Sequence, residues 1–336
     1  MKMKKIGVVG VQEAVGREIL SFLAEDGVKA ADVVALEPRA VMGSQVSYGE
    51  DDELDVLNLD DYDLSKLEVL IFAAPAEMVK KYAVAAAKKV KVIDCSNAFF
   101  ENADVPLLVA GVNDEQLEQA SGGIVSLPSP EVAQLLQVLS PLHRRCKLRR
   151  VVVTSYTSTS VYGKDAMDEL FNQTRRIFMN DTLADDQQVF HKQIAFNVIP
   201  QVDEFIGEET AAEWAFNAEI KKILGADVKV HANCAVVPVF IGSAMYVNAE
   251  FAEETDVDQA RKLLEETPGL VVFDKHVDGG YVTMTDVQGE DNVYVSRLRQ
   301  DISVENGVSF WCVADNLRAG AARNAFAVLK QILARH

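Results

Sequence analysis

Apolar residues follow two different rhythms along this chain. Residues 5–9, KIGVV, form a short continuous apolar run, as expected of a strand buried on both faces. After a turn, AVGREILSFLAEDG spaces its apolar residues as one face of a helix, which Gly27 ends. DVVALEP (32–38) predicts a second strand, stopped by Pro38. LEVLIFAAP (67–75) predicts another, followed by a helix from about 76 to 89 and a strand in VKVIDCS (90–96). Strands alternating with helices predict a parallel sheet with helices on its faces.

The rhythm changes beyond residue 127. PEVAQLLQVL (130–139) predicts an apolar-faced helix. VVVTSY (151–156), VKVHANCAVVPVF (228–240), SAMYVNAEF (243–251), YVTMTDV and NVYVSRLR predict strands with few helices between them. That order points to a largely antiparallel sheet in a second domain. The Ala-rich stretch 316–335 predicts an amphipathic helix that returns to the first domain. The expected architecture is α/β: a Rossmann-type domain of residues 1–127 with 315–336, and an α+β substrate and dimerisation domain of 128–314.

A length of 336 residues suits two such domains, and 49% hydrophobic with 25% charged residues is globular composition. No apolar run is long enough to span a bilayer. The basic start, MKMKK, leads into a glycine-bearing strand instead of a signal-peptide core, so a cytoplasmic location is expected. The net charge of −18 disfavours nucleic acid or an anionic membrane as a partner. Eight acids and no base lie in 50–63, EDDELDVLNLDDYD. This stretch is expected to be a solvated surface loop and edge strand, with docking of a basic partner as the alternative. Cys95, Cys146, Cys234 and Cys312 stand far apart and away from histidines, so reduced thiols and no metal site are expected.

The first strand runs into Gly10-Val11-Gln12-Glu13-Ala14-Val15-Gly16 and a helix. Glycines at such a turn let the backbone approach a pyrophosphate seated on the helix N-terminus. Here the middle glycine position carries Glu13, whose carboxylate opposes that ligand. A plain turn and a cofactor site both stay open. Glu37, 21 residues after Gly16, is either a surface residue or an acceptor for the ribose 2′-hydroxyl of NAD. Arg39 nearby keeps NADP open.

Several segments carry a more specific signal. VIDCSNAF (92–99), GKDAMDEL (163–170), IAFNVIPQVDEF (194–205), VPVF (237–240) and ADNLRAGAARNA (314–325) resemble, in order and spacing, those of the aspartate-semialdehyde dehydrogenase family. The resemblance implies a Rossmann domain, a dimerising second domain and a homodimer. It also implies reduction of an acyl phosphate through a cysteine thioester, with hydride from NADPH. Such chemistry needs a low-pKa thiol, an acid/base, and cationic anchors for carboxylate and phosphate.

Placed residue by residue, the resemblance finds those groups replaced, as in the Usg-type paralogue branch. The family's Asn-Pro-Asn-Cys segment matches Leu127-Pro128-Ser129-Pro130, so Pro130 stands where the nucleophile would be. Ser129 is a natural N-cap, Pro130 suits a first helical position, and Glu131 suits the positive helix end. The orienting glutamine matches Thr157, the substrate arginine Val236 and the catalytic histidine Ser243. Phosphate anchors match Phe100 and Ala215, with Ala212 at a nearby glutamate position. Residues for the 2′-phosphate match Pro38 and Ala40, and glycines near the nicotinamide match Pro75 and Ala76.

No catalytic residue is therefore expected. Gly10, Val11, Gly16, Glu37 and Asn316 are the candidate cofactor residues, for weak binding of NAD or NADP. Cys95, at a strand end, is expected to be a core thiol, with a relocated nucleophile as the alternative. Cys234 and Cys312 are expected to pack, His231 to be paired or exposed, and His191 to lie at a surface turn. Asp165, Asp168 and Glu169 suit the first turns of a helix. The expected function is that of a catalytically silent family member with a ligand-binding, structural or regulatory role, regulation by mixed dimers included. The alternative is an active NAD(P)-dependent oxidoreductase acting on an aldehyde or acyl group with altered chemistry.

Overall fold

The computed structural model describes residues 5–120, 122–181 and 189–335; the basic residues of 1–4 lie outside the described residues. The chain divides into two compact units, Met1–Ala133 with Gly320–His336, and Gln134–Ala319.

The first unit runs β1 (Lys5–Val9), α1 (Ala14–Glu25), β2 (Val33–Glu37), β3 (Gln45–Tyr48), β4 (Asp52–Asn58), β5 (Leu67–Phe72), α2 (Ala76–Ala86), β6 (Lys91–Asp94) and β7 (Ile124–Ser126). The sheet order is β3-β4-β2-β1-β5-β6-β7, parallel throughout except for the β3–β4 hairpin. The uninterrupted apolar strands follow from burial on both faces. Val8, Ile71 and Ile93 pack against Ile19 and Leu23 of α1 and against Val328 and Leu329 of the C-terminal helix. Val9, Leu70 and Val92 face the other way, onto Val79 and Ala83 of α2. The acidic stretch differs from expectation: β4 lies inside β3 in the sheet, not at its edge. Leu54 and Val56 are buried while Glu53 and Asp55 are exposed, so alternation within β4 admits charge without burying it.

The helix α3 (Pro130–Cys146) leads into the second unit. There follow β8 (Leu148–Thr157), α4 (Lys164–Phe178), the small hairpin β9 (Phe205–Ile206) and β10 (Glu209–Thr210), and α5 (Ala211–Leu224). Then come β11 (Lys229–Val236), β12 (Ser243–Phe251), α6 (Val257–Glu265), β13 (Leu270–Val272), β14 (Val293–Gln300) and β15 (Gly307–Ala314). The order is β11-β8-β12-β15-β14-β13, antiparallel except for the two outer pairs, β11–β8 and β13–β14. A capping box starts α5, where Thr210 and Glu213 exchange side-chain and backbone bonds.

Two expected strands change. YVTMTDV is a turn region, because Asp286 accepts from the Thr283 backbone N–H at 2.8 Å and its hydroxyl at 2.6 Å. VKVHANCAVVPVF leaves the sheet after Val236, shortly before Pro238. The stretch 316–335 begins as a π-helical segment, Asn316–Ala322, and becomes α7 (Arg323–Ala334), which packs in the first unit. Among the described residues no helix is long and apolar enough to cross a membrane.

Candidate functional site

The glycine turn of the first unit is built by sterics. Gly10 has φ of 87°, and a Cβ there would lie 2.3 Å from the Ala73 carbonyl oxygen. A Cβ on Gly16 would lie 2.0 Å from the Gly10 oxygen. Both glycines are therefore demanded by the turn itself, with or without a ligand. Val11 is buried. Glu13 is exposed at the N-cap of α1 and makes no side-chain cap bond. Glu37, half-buried at the end of β2, accepts the Gln12 N–H at 3.1 Å. Burial raises its pKa, backbone bonds from Gln12 and Val11 oppose the shift, and the Glu13 charge adds to it. The corner thus gathers negative charge on a turn whose backbone N–H groups favour anions.

The end of β6 is occupied by a buried carboxylate. Asp94 accepts from Ser96 N–H at 2.8 Å, Ser96 Oγ at 2.6 Å and Ser126 Oγ at 2.6 Å. Burial, then the adjacent Asp94 charge, push the Cys95 thiol well above its ordinary pKa, the opposite of what a thiolate nucleophile needs. Phe100 is half-buried, its N–H on the Asn97 oxygen at 3.3 Å. Pro130 is the first residue of α3, and the Ser129 carbonyl accepts the Ala133 N–H at 2.9 Å. A Cβ on Gly320 would lie 3.0 Å from the Pro130 Cβ, so the proline ring fills the space that this glycine leaves.

In the second unit three of the singled-out positions come together. Val236 pairs with Thr157, Thr157 with Ser243, and Ser243 with Ala314, forming one row across β11, β8, β12 and β15. Residues directly opposite share a sheet face, with Cβ atoms about 5 Å apart. Val236, Thr157 and Ser243 are all buried. The Ser243 hydroxyl donates to Gln134 Oε1, and Gln134 Nε2 reaches the Ser243 carbonyl at 3.3 Å and Cys312 Sγ at 3.5 Å. Burial pushes the Cys312 thiol up to about 12, against the Gln134 bond. Gln134 stands on α3 one turn beyond Pro130. None of the three side chains in the row titrates near neutral pH or carries a cation for a carboxylate.

Asn316 is buried and hydrogen-bonded through both its amide oxygen and its amide nitrogen. Its Oδ1 accepts from Gly242 N–H at 2.8 Å, Ser160 Oγ at 3.2 Å and Ser158 Oγ at 3.4 Å, and its Nδ2 reaches Ser160 Oγ at 3.0 Å. The remaining candidates lie apart from this row. His231 is exposed on β11, Cys234 is buried on the same strand, and His191 is exposed. Asp165 and Asp168 lie in the first turns of α4, whereas Glu169 is buried and accepts the Val189 N–H at 2.6 Å. Among the described residues no group of three or more His, Cys, Asp or Glu could hold a metal.

Comparison with known proteins follows the same two-unit plan. Residues 5–120 match the semialdehyde dehydrogenase NAD binding domain, and residues 139–319 the semialdehyde dehydrogenase dimerisation domain. An aspartate-semialdehyde dehydrogenase of Rickettsia bellii is 36% identical over 99% of this chain and 98% of its own. This chain belongs to the aspartate-semialdehyde dehydrogenase family. The crystal structure of aspartate semialdehyde dehydrogenase II from Vibrio cholerae superposes with a TM-score of 0.94 at 31% identity, covering 100% of both chains. The same enzyme complexed with ASA gives the same values. Within this family frame, sequence reasoning passed over Gln134. A polar residue in PEVAQLLQVL, one turn from Pro130, was the available signal, but its partner Ser243 lies 109 residues away.

Proposed function

We propose that this chain is a catalytically silent member of the aspartate-semialdehyde dehydrogenase family with a ligand-binding, structural or regulatory role. The observation that carries this reading is the buried row Val236–Thr157–Ser243, with the Ser243 hydroxyl committed to Gln134. At the positions the resemblance assigns, Pro130 offers no nucleophile, Ser243 no imidazole, and Val236 and Phe100 no cation. Loss of the acid/base alone costs about 10²–10⁴ in rate, and loss of the nucleophile removes the thioester route. Cys95 and Cys312 offer no substitute, since both thiols are shifted up.

Dinucleotide binding on this reading is weak, with NAD favoured over NADP. Val11 and the two glycines still shape the turn, but Glu13 opposes the pyrophosphate and Glu37 opposes a 2′-phosphate. Asn316 already has its amide engaged. The second unit pairs two copies through the sheet face opposite the buried row. There Asn233, Thr154, Tyr246 and Trp311 are aligned, with Tyr246 and Trp311 rings 4.9 Å apart. A monomer by light scattering at micromolar concentration overturns that pairing.

A second reading, an active NAD(P)-dependent oxidoreductase with altered chemistry, draws on the preserved glycine turn and on Glu37. Purified protein assayed in both directions with aspartate semialdehyde, phosphate and either dinucleotide separates the two. No turnover is expected, and none in Pro130→Cys, because acid/base and anchors are still missing. Turnover lost in Cys95→Ala would establish a relocated nucleophile and end the silent reading.

A further inference from the structure

The other end of the second unit's sheet carries a feature that the family chemistry does not use. A cleft of about 660 Å³ opens around the start of β8 and β11 and the end of β12. From Arg150 to Thr157 along β8 is about 23 Å at the usual strand rise, so this cleft is remote from the buried row. In a chain of net charge −18, four cations line it: Lys147, Arg149, Arg150 and Lys229. Two carboxylates, Asp227 and Glu250, also line it, leaving the cations in excess.

The backbone brings these cations together. The pairing of β12 shifts between Glu250, opposite Arg150, and Phe251, opposite Leu148, so Arg149 is the extra residue of a β-bulge. The bulge leaves Arg149 and Arg150 exposed in succession; Arg150 shares the sheet face of Thr154 but lies four residues along β8 from the row proposed to meet a second copy. Arg150 stands between Lys229 on β11 and Glu250 on β12, so this row sets two cations against one carboxylate. Lys147 has a partner in Glu253 at 3.0 Å. Among the described residues no carboxylate lies within ion-pair distance of Arg149, Arg150 or Lys229. Leu148 and Val228, both buried, and half-buried Leu224 supply an apolar floor.

We propose that this cleft binds a small organic molecule carrying two or more phosphate or carboxylate groups. Guanidinium groups match such oxyanions bidentately, and Lys229 adds a point charge. The volume lies within the range of small-molecule sites. The overall negative charge does not forbid it, because charges beyond about 8–10 Å are largely screened at physiological salt. The inference does not rest on whether the chain is catalytically silent.

The test uses the full-length protein with inorganic pyrophosphate and, separately, fructose 1,6-bisphosphate. Pyrophosphate is also the group that a glycine turn cradles, so the cleft variants, not the choice of probe, assign the site. Each is compared with sodium chloride at matched ionic strength, by calorimetric titration and thermal melting. Millimolar or tighter binding is expected, weakened about tenfold or more in Arg150→Gln/Lys229→Gln. Stronger binding of the bisphosphate than of pyrophosphate assigns the floor a part; equal binding assigns recognition to the anionic groups alone and removes the organic body from the proposal. The exposed pair Lys147→Gln/Arg149→Gln serves if the first variant does not fold. No binding by the wild type, or equal binding by the folded variants, overturns the proposal. So does concentration-dependent assembly that the variants abolish without any anion binding, which would make the cleft a seat for the acidic 50–63 stretch of a second copy.

Discussion

Replacing Gly16 by alanine asks whether the glycine turn serves the fold or a ligand. The added Cβ would sit 2.0 Å from the Gly10 carbonyl oxygen, 2.8 Å from its carbon and 3.1 Å from the Val11 Cα. All three are backbone atoms, so no side-chain rotation relieves the contact. Gly10 cannot retreat easily, because its own Cα hydrogens face the Ala73 carbonyl and its φ is 87°. Helix α1 must move off β1, loosening Ile19 and Leu23 from the sheet. Overpacking of this kind costs about 3 kcal/mol. At about 2–4 °C per kcal/mol, for a unit of roughly 150 residues, the melting temperature of the ligand-free protein falls by about 6–12 °C. Differential scanning calorimetry without nucleotide resolves that shift, and urea unfolding followed by circular dichroism checks it. An unchanged melting temperature would refute the steric argument and return Gly16 to a purely ligand-binding role.

Two further outcomes follow from the buried and charged groups. Gln134→Ala leaves the Ser243 hydroxyl buried without its acceptor, a cost of about 1–3 kcal/mol plus that of the cavity. A cycle with Ser243→Ala should return a coupling of about 1 kcal/mol by chemical denaturation, and strict additivity would count against the bond. Glu37 has a folded pKa above its unfolded one, so ionising it costs stability, and that cost grows as pH rises from about 4.3 through the folded value. Glu13→Gln removes one of the causes; the Glu37 carboxyl resonance should titrate at lower pH by NMR and the loss of stability across that window should shrink, whereas an unmoved titration shows that burial alone sets the shift.

The first unit was legible because strands buried on both faces write themselves as apolar runs, and because Gly10 and Gly16 mark one turn by steric need. The second unit was less so. YVTMTDV alternates as a strand does, and Val282 and Met284 are indeed buried. That burial comes from a turn packed beside Trp311, whose indole N–H donates to the Val282 oxygen at 2.9 Å. GVSFWCVA, which is β15, carries Gly, Ser and Cys at buried positions and so shows a weak strand pattern. The register that joins Val236, Thr157 and Ser243 links strands that are not consecutive in the sequence. No local spacing encodes it, and the resemblance supplied the residues without their arrangement.

The two kinds of glycine position in the turn show why this arrangement is physically self-consistent. A side chain at Gly10 or Gly16 collides with backbone, so the fold fixes both residues. The position of Glu13 is exposed, and nothing but an approaching pyrophosphate requires glycine there. The same division holds elsewhere on the proposed reading. Proline at position 130 fits the first turn of α3 and the space beside Gly320. Serine at 243 satisfies Gln134 in a site that excludes water, where an imidazole would have to be both larger and chargeable. On that reading each residue present serves the local structure at a position the resemblance assigns to the reaction. The fold stays close to that of the Vibrio cholerae enzyme, with a TM-score of 0.94, while Ser243 and Gln134 close the buried row through their hydrogen bond.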